Sequence, residues 1–297
     1  MLARIGNVEV WRLLESDGPL MPFTRFFPDL SPEDIEAHRD LIGARGLSVD
    51  VKTGLYWLCL PVQAFLLKTP DKLVLVDGCV GNHKSAPSMK LWHQMNRPDF
   101  MEAFAATGFL AEDVDYVLCT HLHIDHAGWT TSLVDGEWVP TFPNARVLTN
   151  KAELDEAWQA AQDPNTLASH IWRETIQPLM DHAKLDIVDA DYALDDDIRL
   201  WSTPGHTPGH VSIEIRVGED LGAVVTGDVV HSPIQCAMPH IHTIADTDPE
   251  LAVETRARFF ARMADTGAKT FATHFPLPSV GHIVRDGDVF DWKLEED

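Results

Sequence analysis

A short apolar segment near the middle of the chain leads directly into a cluster of polar side chains. Residues 114–119 have the pattern of a buried strand, and three His and one Asp follow within six residues: His121, His123, Asp125 and His126. These residue types bind zinc, iron, manganese or nickel in proteins. The alternative is a solvated polar loop, but four ligand-type residues directly after a buried strand favour a metal site.

The spacing of these four residues suits two metals that lie side by side. His121 and His123 are two positions apart, so an extended segment can point both side chains the same way. Asp125 and His126 follow on a turn, where they can point elsewhere. One ion cannot take all four donors at this spacing, and the sequence therefore predicts a binuclear site in a polar loop over 121–128.

The strands of the first half come largely as hairpins and are not separated by helices. Val62–Thr69 and Leu73–Val76 are apolar runs joined by a Pro-Asp-Lys turn, which is a hairpin signal. This pattern favours a layered α/β sandwich of two mixed sheets over a doubly wound parallel sheet. Further strands are expected at Asn7–Leu14, Val114–Cys119, Arg146–Leu148, Ile198–Trp201, Val211–Val217, Gly222–Thr226 and Lys269–Ala272.

Helix signals lie in both halves of the chain. Ser31 is a typical N-cap because Pro and two acids follow it, and the helix is expected to run to about Arg45 and to stop at Gly46. Asp248 is the expected N-cap of a helix over Pro249–Ala264. Apolar spacing predicts further helices at Pro98–Thr107, Lys151–Gln162 and Leu167–Met180.

The composition is that of a globular protein and opposes two classes of partner. The chain has 297 residues, 45% of them hydrophobic, without repeats or linkers, so we expect a single domain over 1–297. A formal net charge of −23 argues against nucleic acid, which needs a basic face. The mean hydropathy of −0.11, without an apolar run of about 18 residues, argues against a membrane span. No signal-peptide pattern begins the chain, so we expect a cytoplasmic protein.

The four cysteines are scattered and form no CxxC motif. Cys59, Cys79, Cys119 and Cys236 could form two disulfides in an exported protein. The simpler interpretation is four small buried side chains in a cytosolic chain.

The motif His-x-His-x-Asp-His after a buried strand resembles the metallo-β-lactamase superfamily. The resemblance covers about residues 62–289 and implies a four-layer αββα sandwich of two mixed β-sheets flanked by helices. It also implies further ligands, and the sequence supplies each in order. His206 lies in a loop rich in Pro and Gly, Asp228 ends a strand, and His274 follows the last predicted strand.

The resemblance distributes these residues over two metals. His210 follows in the same loop, and a structural or ligand-supporting role is expected for it in preference to metal binding. Zinc is the expected metal, and iron, manganese, cobalt and nickel are compatible with the same donors. The implied groups are His121, His123 and His206 for one metal and Asp125, His126 and His274 for the other, with Asp228 shared.

Such a site predicts hydrolysis without a nucleophilic side chain. Two divalent ions about 3.5 Å apart lower the pKa of a bridging water towards neutrality, and the resulting hydroxide attacks a carbonyl, phosphoryl or sulfuryl centre. Asp125 is expected to orient this hydroxide as well as to bind metal. The chain has no Gly-x-Ser-x-Gly motif, which agrees with a metal-activated water.

Within the superfamily, the chain is most similar to the N-acyl-homoserine lactonase and methyl parathion hydrolase branch. Class B β-lactamases commonly have Cys where Asp228 stands. Hydroxyacylglutathione hydrolases add a helical domain after the last His, whereas 23 residues follow His274 here. The negative net charge argues against the nucleases of the superfamily. Diiron flavoproteins need a flavodoxin domain, which is not expected here. The resemblance thus implies a quorum-quenching lactonase or a relative that hydrolyses aryl esters or phosphotriesters.

One position departs from the lactonase pattern. Three residues after the bridging Asp, known lactonases have a Tyr that assists the substrate oxygen, and this chain has His231. A His there can donate a proton to the leaving alkoxide, which makes His231 a catalytic candidate beside Asp125. The alternative is that His231 only supports a metal ligand. This departure leaves other lactones, aryl esters and phosphotriesters open as substrates.

Residues 18–60 form an N-terminal extension rich in aromatic side chains, including Phe23, Phe26 and Phe27. The extension could cover the site and grip a small-molecule lactone or ester, pack as core, or mediate a homodimer. Asn82, His83 and Lys84 follow the strand that ends at Asp77 and are expected to be solvated loop residues, with the edge of the cleft as the alternative. His240 and His242 alternate after Met238-Pro239 and could face the pocket, but they have no partner motif. A metabolite-binding protein without turnover and a redox protein with two irons are the alternatives to a hydrolase.

Overall fold

The protein has a mixed α/β fold, and the computed structural model describes residues 1–295. Its two larger sheets each contain parallel and antiparallel pairs, so the predicted α/β class with two mixed sheets is confirmed. The strands are β1 Ala3–Ile5, β2 Val8–Pro22, β3 Leu47–Val49, β4 Tyr56–Lys68, β5 Leu73–Val76, β6 Tyr116–Leu118, β7 Thr131–Val134, β8 Glu137–Pro140, β9 Arg146–Asn150, β10 Leu185–Val188, β11 Ile198–Ser202, β12 Val211–Val217, β13 Asp220–Val225, β14 Lys269–Phe271, β15 Val280–Asp286 and β16 Val289–Leu294.

The helices are mostly short. A π-helical turn, Trp172–Ile176, connects two of them, and 3-10 turns lie at Ala111–Asp113, Gly128–Thr130 and Gly227–Val229. No helix in the part described is both long enough and apolar enough to cross a membrane. The α-helices are α1 Phe23–Phe26, α2 Pro32–Ala37, α3 Arg39–Ile42, α4 Asp99–Ala105, α5 Ile124–Ala127, α6 Lys151–Ala160, α7 Leu167–Ile171, α8 Gln177–Asp181, α9 Ile234–Ala237 and α10 Pro249–Thr266.

The chain forms two compact units. The first unit comprises residues 1–16 and 62–200, and the second comprises residues 17–61 and the described residues from 201 onward. The expected N-terminal extension, 18–60, therefore lies wholly in the second unit. The single domain expected over 1–297 stays a prediction.

The larger sheet has the strand order β1-β2-β4-β5-β6-β9-β10, with β3 paired to β4. The antiparallel β4–β5 pair confirms the predicted hairpin. β5, β6 and β9 run parallel, with Val76 opposite Leu118 and Leu118 opposite Leu148. Because β5 and β6 end side by side, the residues that follow them, Asp77 and the segment from His121, start from one edge of the sheet.

The second sheet has the order β11-β12-β13-β14-β15-β16. β13 and β14 are parallel neighbours, with Val225 opposite Phe271. The segments that carry Asp228 and His274 therefore leave this sheet side by side. Its last two strands, β15 and β16, were not predicted from the sequence, and neither were β1, β3, the β7–β8 hairpin and β10.

The helix expected from Ser31 to Arg45 is only partly correct. Ser31 does cap α2, since its hydroxyl accepts from the backbone N–H of Asp34 and the Asp34 carboxylate accepts from that of Ser31. The helix then breaks at His38, which leaves the helical backbone with a φ of −107° and a ψ of 18°, while its ring Nδ1 lies 2.8 Å from the Asp34 carbonyl oxygen. α3 ends at Gly43, with a φ of 77°, and not at Gly46.

The aromatic side chains of the extension pack in the core of the second unit. Phe23, Phe26 and Phe27 are buried together with Ile234 and Ile241. Of the roles left open for residues 18–60, these three side chains therefore take the core role, because burial removes their apolar area from water.

Candidate metal centre

The His/Asp segment of the first unit begins directly after β6. The segment was expected to be a polar loop over 121–128, but its second half is one helical turn, α5, that begins after His123. The turn follows because the backbone N–H groups of His126 and Ala127 donate to the His123 carbonyl. His121 is fully buried, so the end of the strand holds its ring inside the unit.

His121 and His123 point at one another. Nε2 of His121 lies 3.0 Å from Nδ1 of His123. The Thr120 hydroxyl lies 3.0 Å from Oδ2 of Asp77, to which it must donate, and 3.1 Å from Nδ1 of His121, from which it then accepts. This arrangement places the proton of His121 on Nδ1 and its electron pair on Nε2, the geometry of two ligands for one ion.

His126 is held from its other ring nitrogen. Nδ1 of His126 lies 3.0 Å from Oδ2 of Asp77, and a carboxylate oxygen only accepts, so Nδ1 carries the proton. Nε2 then has the electron pair, and it lies 3.7 Å from Oδ2 of Asp125. Asp125 and His126 therefore present one oxygen and one nitrogen donor close together.

A buried carboxylate fixes the backbone around this segment. Glu15 accepts hydrogen bonds from the N–H groups of Val80 and Gly81 and from Nε1 of Trp129, at 2.9, 3.0 and 2.6 Å. Burial raises the pKa of Glu15, and the three donors oppose this rise. Gly128 packs so closely on the same loop that a Cβ there would lie 1.7 Å from the carbonyl oxygen of Val80.

In the second unit, Asp228 lies among three imidazoles. Its Oδ2 is 3.3 Å from Nε2 of His206 and 3.1 Å from Nε2 of His231, and its Oδ1 is 3.1 Å from Nε2 of His274. All four side chains are buried. Residues that were singled out at three separate places in the sequence therefore meet within this unit.

The two expected ligands His206 and His274 are each oriented by a protein acceptor. Nδ1 of His206 lies 2.9 Å from Oδ1 of Asp246, and Nδ1 of His274 lies 2.9 Å from the carbonyl oxygen of Pro61. Both Nδ1 atoms must donate, so both electron pairs are on Nε2 and face Asp228. Partners of this kind fix the tautomer and ring orientation of metal-binding His.

His210 supports the backbone of Asp228. Its Nε2 accepts from the Asp228 N–H at 2.7 Å, and its Nδ1 lies 3.1 Å from the carbonyl oxygen of Thr203. Both ring nitrogens therefore contact protein groups, and the structural role expected for His210 is confirmed.

His231 is in contact with the expected ligands. Its ring is stacked on that of His274, with 5.6 Å between centroids, and lies edge-on to Phe26 at 5.2 Å. Burial lowers the pKa of His231, and the charge of Asp228 opposes this. The contact with Asp228 suits both roles considered for His231, so its catalytic role stays a prediction.

Lys84 was expected to be a solvated loop residue, and this is wrong. Its side chain is buried, and Nζ donates to Oγ1 of Thr131, the carbonyl of Glu174 and Oγ1 of Thr175, at 2.7, 2.8 and 3.1 Å. Nζ also lies 3.7 Å from the centre of the Trp138 ring. Burial lowers the pKa of Lys84 to about 7.

The other loop candidates are half-buried or exposed. The Asn82 side chain is hydrogen-bonded to the backbone of Arg97, and His242 is paired with Asp29 at 2.6 Å. His240 is exposed. All four cysteine thiols are buried, which confirms the interpretation of small core side chains.

The donor set fits divalent metal ions. His126, His206 and His274 each present the electron pair of Nε2 towards a carboxylate oxygen, and both kinds of atom are electron-pair donors. A divalent cation is the partner to which imidazole nitrogens and carboxylate oxygens can donate together. Such ions supply Lewis acidity to a bound water and a substrate oxygen.

Sequence reasoning missed the residues that orient the ligands. Asp77 follows β5, the parallel neighbour of β6, so its place at the same sheet edge was an available signal. Asp246, the Pro61 carbonyl and Glu15 gave no local signal, because each contacts the site only through the tertiary fold.

The comparisons with known proteins agree with this arrangement. Residues 57–274 match the family model of the metallo-beta-lactamase superfamily. The N-acyl homoserine lactonase AiiA of Bacillus thuringiensis subsp. kurstaki is 26% identical over 215 residues, which are 68% of this chain and 76% of that protein. The N-acyl homoserine lactonase AttM of Rhizobium radiobacter is 26% identical over 189 residues, or 58% of this chain and 66% of that protein.

Solved structures show the same fold. AidC, a dizinc quorum-quenching lactonase in complex with a product, superposes with a TM-score of 0.78 at 24% identity, covering 99% of this chain and 97% of that one. The hydrolase AbOPH of the beta lactamase superfamily gives a TM-score of 0.77 at 25% identity, with the same coverage.

Proposed function

The chain belongs to the metallo-β-lactamase superfamily, and on this premise we propose that it is a dimetal hydrolase that opens the ring of a lactone. The curated relatives that support the substrate class are N-acyl homoserine lactonases. We propose zinc as the metal, since imidazole and carboxylate donors suit it. The proposed ligands are His121, His123 and His206 for one ion and Asp125, His126 and His274 for the other, with Asp228 shared.

One observation carries the proposal. Three buried imidazoles donate from Nδ1 to a protein acceptor: His126 to Asp77, His206 to Asp246 and His274 to the Pro61 carbonyl. Side chains fixed in this way keep Nε2 available as an electron-pair donor, and oriented imidazoles are what a metal centre requires. Three acceptors from different parts of the chain hold three imidazoles in the same tautomer. Metal binding explains this shared orientation better than core packing does.

Bound metals would activate water for attack and polarise the carbonyl oxygen of the substrate. The chain's own groups supply the positions and the proton. Asp228 lies against the imidazoles of His206 and His274 and would hold metal with them, and Asp125 would orient the attacking water. His231 hydrogen-bonds the leaving alkoxide oxygen and donates its proton there. The overall step adds one water across the acyl C–O bond and yields a hydroxy acid.

The test is a hydrolysis panel on protein whose metal content has been quantified. The panel compares an acyl-homoserine lactone, a simple γ- or δ-lactone, a nitrophenyl ester and a phosphotriester. We expect about two metals per chain and a kcat/KM for one lactone that exceeds the other classes by at least tenfold. Zinc near zero, or full activity in His121→Ala, would contradict the proposal.

A second candidate is hydrolysis of aryl esters or phosphotriesters, favoured by His231 at the place of the lactonase Tyr. The same activated water serves these substrates, and the panel distinguishes them directly. Tight ligand binding without hydrolysis across the panel would instead support a metabolite-binding protein. The homodimer and the cytoplasmic location stay predictions, to be tested by light scattering and by fractionation of the source cells.

A further inference from the structure

Arg256 is a fully buried arginine on α10 of the second unit. Its Nε donates to the carbonyl of Val229 at 3.0 Å, and NH1 donates to the carbonyls of Pro239 and Ile241 at 3.2 and 2.5 Å. Val229 stands directly after Asp228 in the sequence. One guanidinium therefore ties the segment of the shared ligand to the loop at 239–241.

The same guanidinium faces the carboxylate that orients His206. NH2 of Arg256 lies 3.7 Å from Oδ2 of Asp246, which also accepts from the N–H of Thr243 at 2.8 Å. Oδ1 of Asp246 accepts from Nδ1 of His206. Asp246 is thus fixed by a backbone donor and a buried charge on one oxygen, and by the imidazole on the other.

We propose that Arg256 is a positioning residue of the metal centre, which holds Asp246 and the backbone after Asp228 so that His206 and Asp228 present their donor atoms together. The proposal rests on the dimetal centre proposed above and adds the residue that sets its geometry in the second unit. A plain structural role predicts loss of fold stability alone. Positioning predicts loss of metal affinity in protein that is still folded.

The chemistry favours arginine at this place. A guanidinium has five N–H donors in a rigid plane, so one side chain reaches three carbonyls and a carboxylate, which a lysine cannot match. Burial lowers the pKa of Arg256 to about 10, and the charge of Asp246 opposes this, so the group stays protonated at neutral pH. Burial raises the pKa of Asp246. The hydrogen bond and charge of His206, together with the charge of Arg256, outweigh this and keep the pKa of that carboxyl well below its usual range.

The test measures zinc affinity by competition with a chelator in the full-length protein, without any substrate. We expect Arg256→Met to raise the zinc Kd by about 10- to 100-fold, as removal of an orienting partner does elsewhere. Arg256→Lys keeps the charge and should recover part of this loss. Circular dichroism and the melting temperature of the metal-free protein report the fold separately.

Arg262→Met is the matched control. Arg262 lies on the same helix, pairs with Glu214 at 2.6 Å and stacks on Trp201, so its loss removes arginine contacts that do not involve the metal ligands. It should lower the melting temperature and leave the zinc Kd unchanged. Equal zinc affinity in folded Arg256→Met and wild-type protein would overturn the proposal.

Asp246→Asn keeps the test decisive if Arg256→Met does not fold. Because Arg256 acts partly through Asp246, we expect Asp246→Asn alone to weaken zinc binding similarly. In the double variant, adding Arg256→Lys to Asp246→Asn should weaken zinc binding little further. If the losses of zinc affinity in the two single variants simply add in the double variant, Arg256 does not act through Asp246 and the proposal is overturned. An inactive wild-type protein that still binds two zinc ions would contradict the hydrolase and leave this proposal standing.

Discussion

Oδ2 of Asp77 lies 3.0 Å from Nδ1 of His126, and Oδ1 of the same carboxylate accepts from the backbone N–H of Thr120 at 2.8 Å. Asp77 therefore orients one expected ligand and fixes the residue before another. We expect Asp77→Asn to weaken metal retention by about 10- to 100-fold, because the amide removes the charge that holds the Nδ1 proton. Zinc content after dialysis measures this, with Asp71→Asn on an exposed turn as the control. Unchanged zinc retention would remove Asp77 from the site.

His231 is predicted to act on substrate more than on metal. His231→Phe keeps the packing against Phe26 and His274 but removes the ring N–H. We expect kcat/KM for the best substrate to fall about 100-fold at unchanged zinc content, the usual size of a lost general acid. His231→Tyr should restore part of the activity. Loss of zinc in His231→Phe would instead show that the residue supports a ligand, and His282→Phe at the surface serves as the control.

The contact between Gly128 and Val80 predicts a large steric effect. In Gly128→Ala the new Cβ meets backbone atoms that cannot move aside, at 1.7 Å from the Val80 carbonyl oxygen. We expect a loss of at least about 3 kcal/mol in the free energy of unfolding. Gly267→Ala separates backbone strain from steric overlap, because Gly267 has a left-handed backbone (φ 64°, ψ 17°) with open space around it and should cost only about 1 kcal/mol. Chemical denaturation of both variants measures the difference, and equal losses would contradict the steric argument.

Lys84 gives the fold a predictable pH dependence. Burial lowers its pKa to about 7 in the folded protein, whereas lysine in an unfolded chain titrates at about 10.4. Between these values the unfolded chain binds a proton that the folded chain lacks, so stability rises with pH across this window, and below pH 7 the full cost of the buried charge remains. From pH 7 to 9.5 the free energy of unfolding should increase by about 3 kcal/mol more in wild type than in Lys84→Met.

Urea unfolding at the two pH values checks this, and Lys72→Met is the control. The hydrogen bond to Asp195 raises the pKa of Lys72, so Lys72 stays charged in both states across the window and contributes no slope. The same pH slope in wild type and Lys84→Met would mean that Lys84 is charged at neutral pH in the folded protein.

Local patterns predicted the elements whose signals are contained in a few neighbouring residues. The β4–β5 hairpin, the Ser31 and Asp248 caps and the α/β class follow from apolar runs, turns and cap residues. The break at His38 was missed, because no Gly or Pro stands beside it to signal a helix end. The edge strands β1, β3 and β10 were missed because short strands need their neighbours to be recognised.

The sequence by itself determined which residues are ligand candidates, because His121, His123, Asp125 and His126 fall within six positions after one strand. Only the tertiary structure decided how the imidazoles are oriented. The acceptors lie far along the chain, 49 residues from His126, 40 from His206 and 213 from His274. Hydrogen bonds of this kind depend on which segments pack together, and a carboxylate or a carbonyl carries no local mark of the imidazole it will meet.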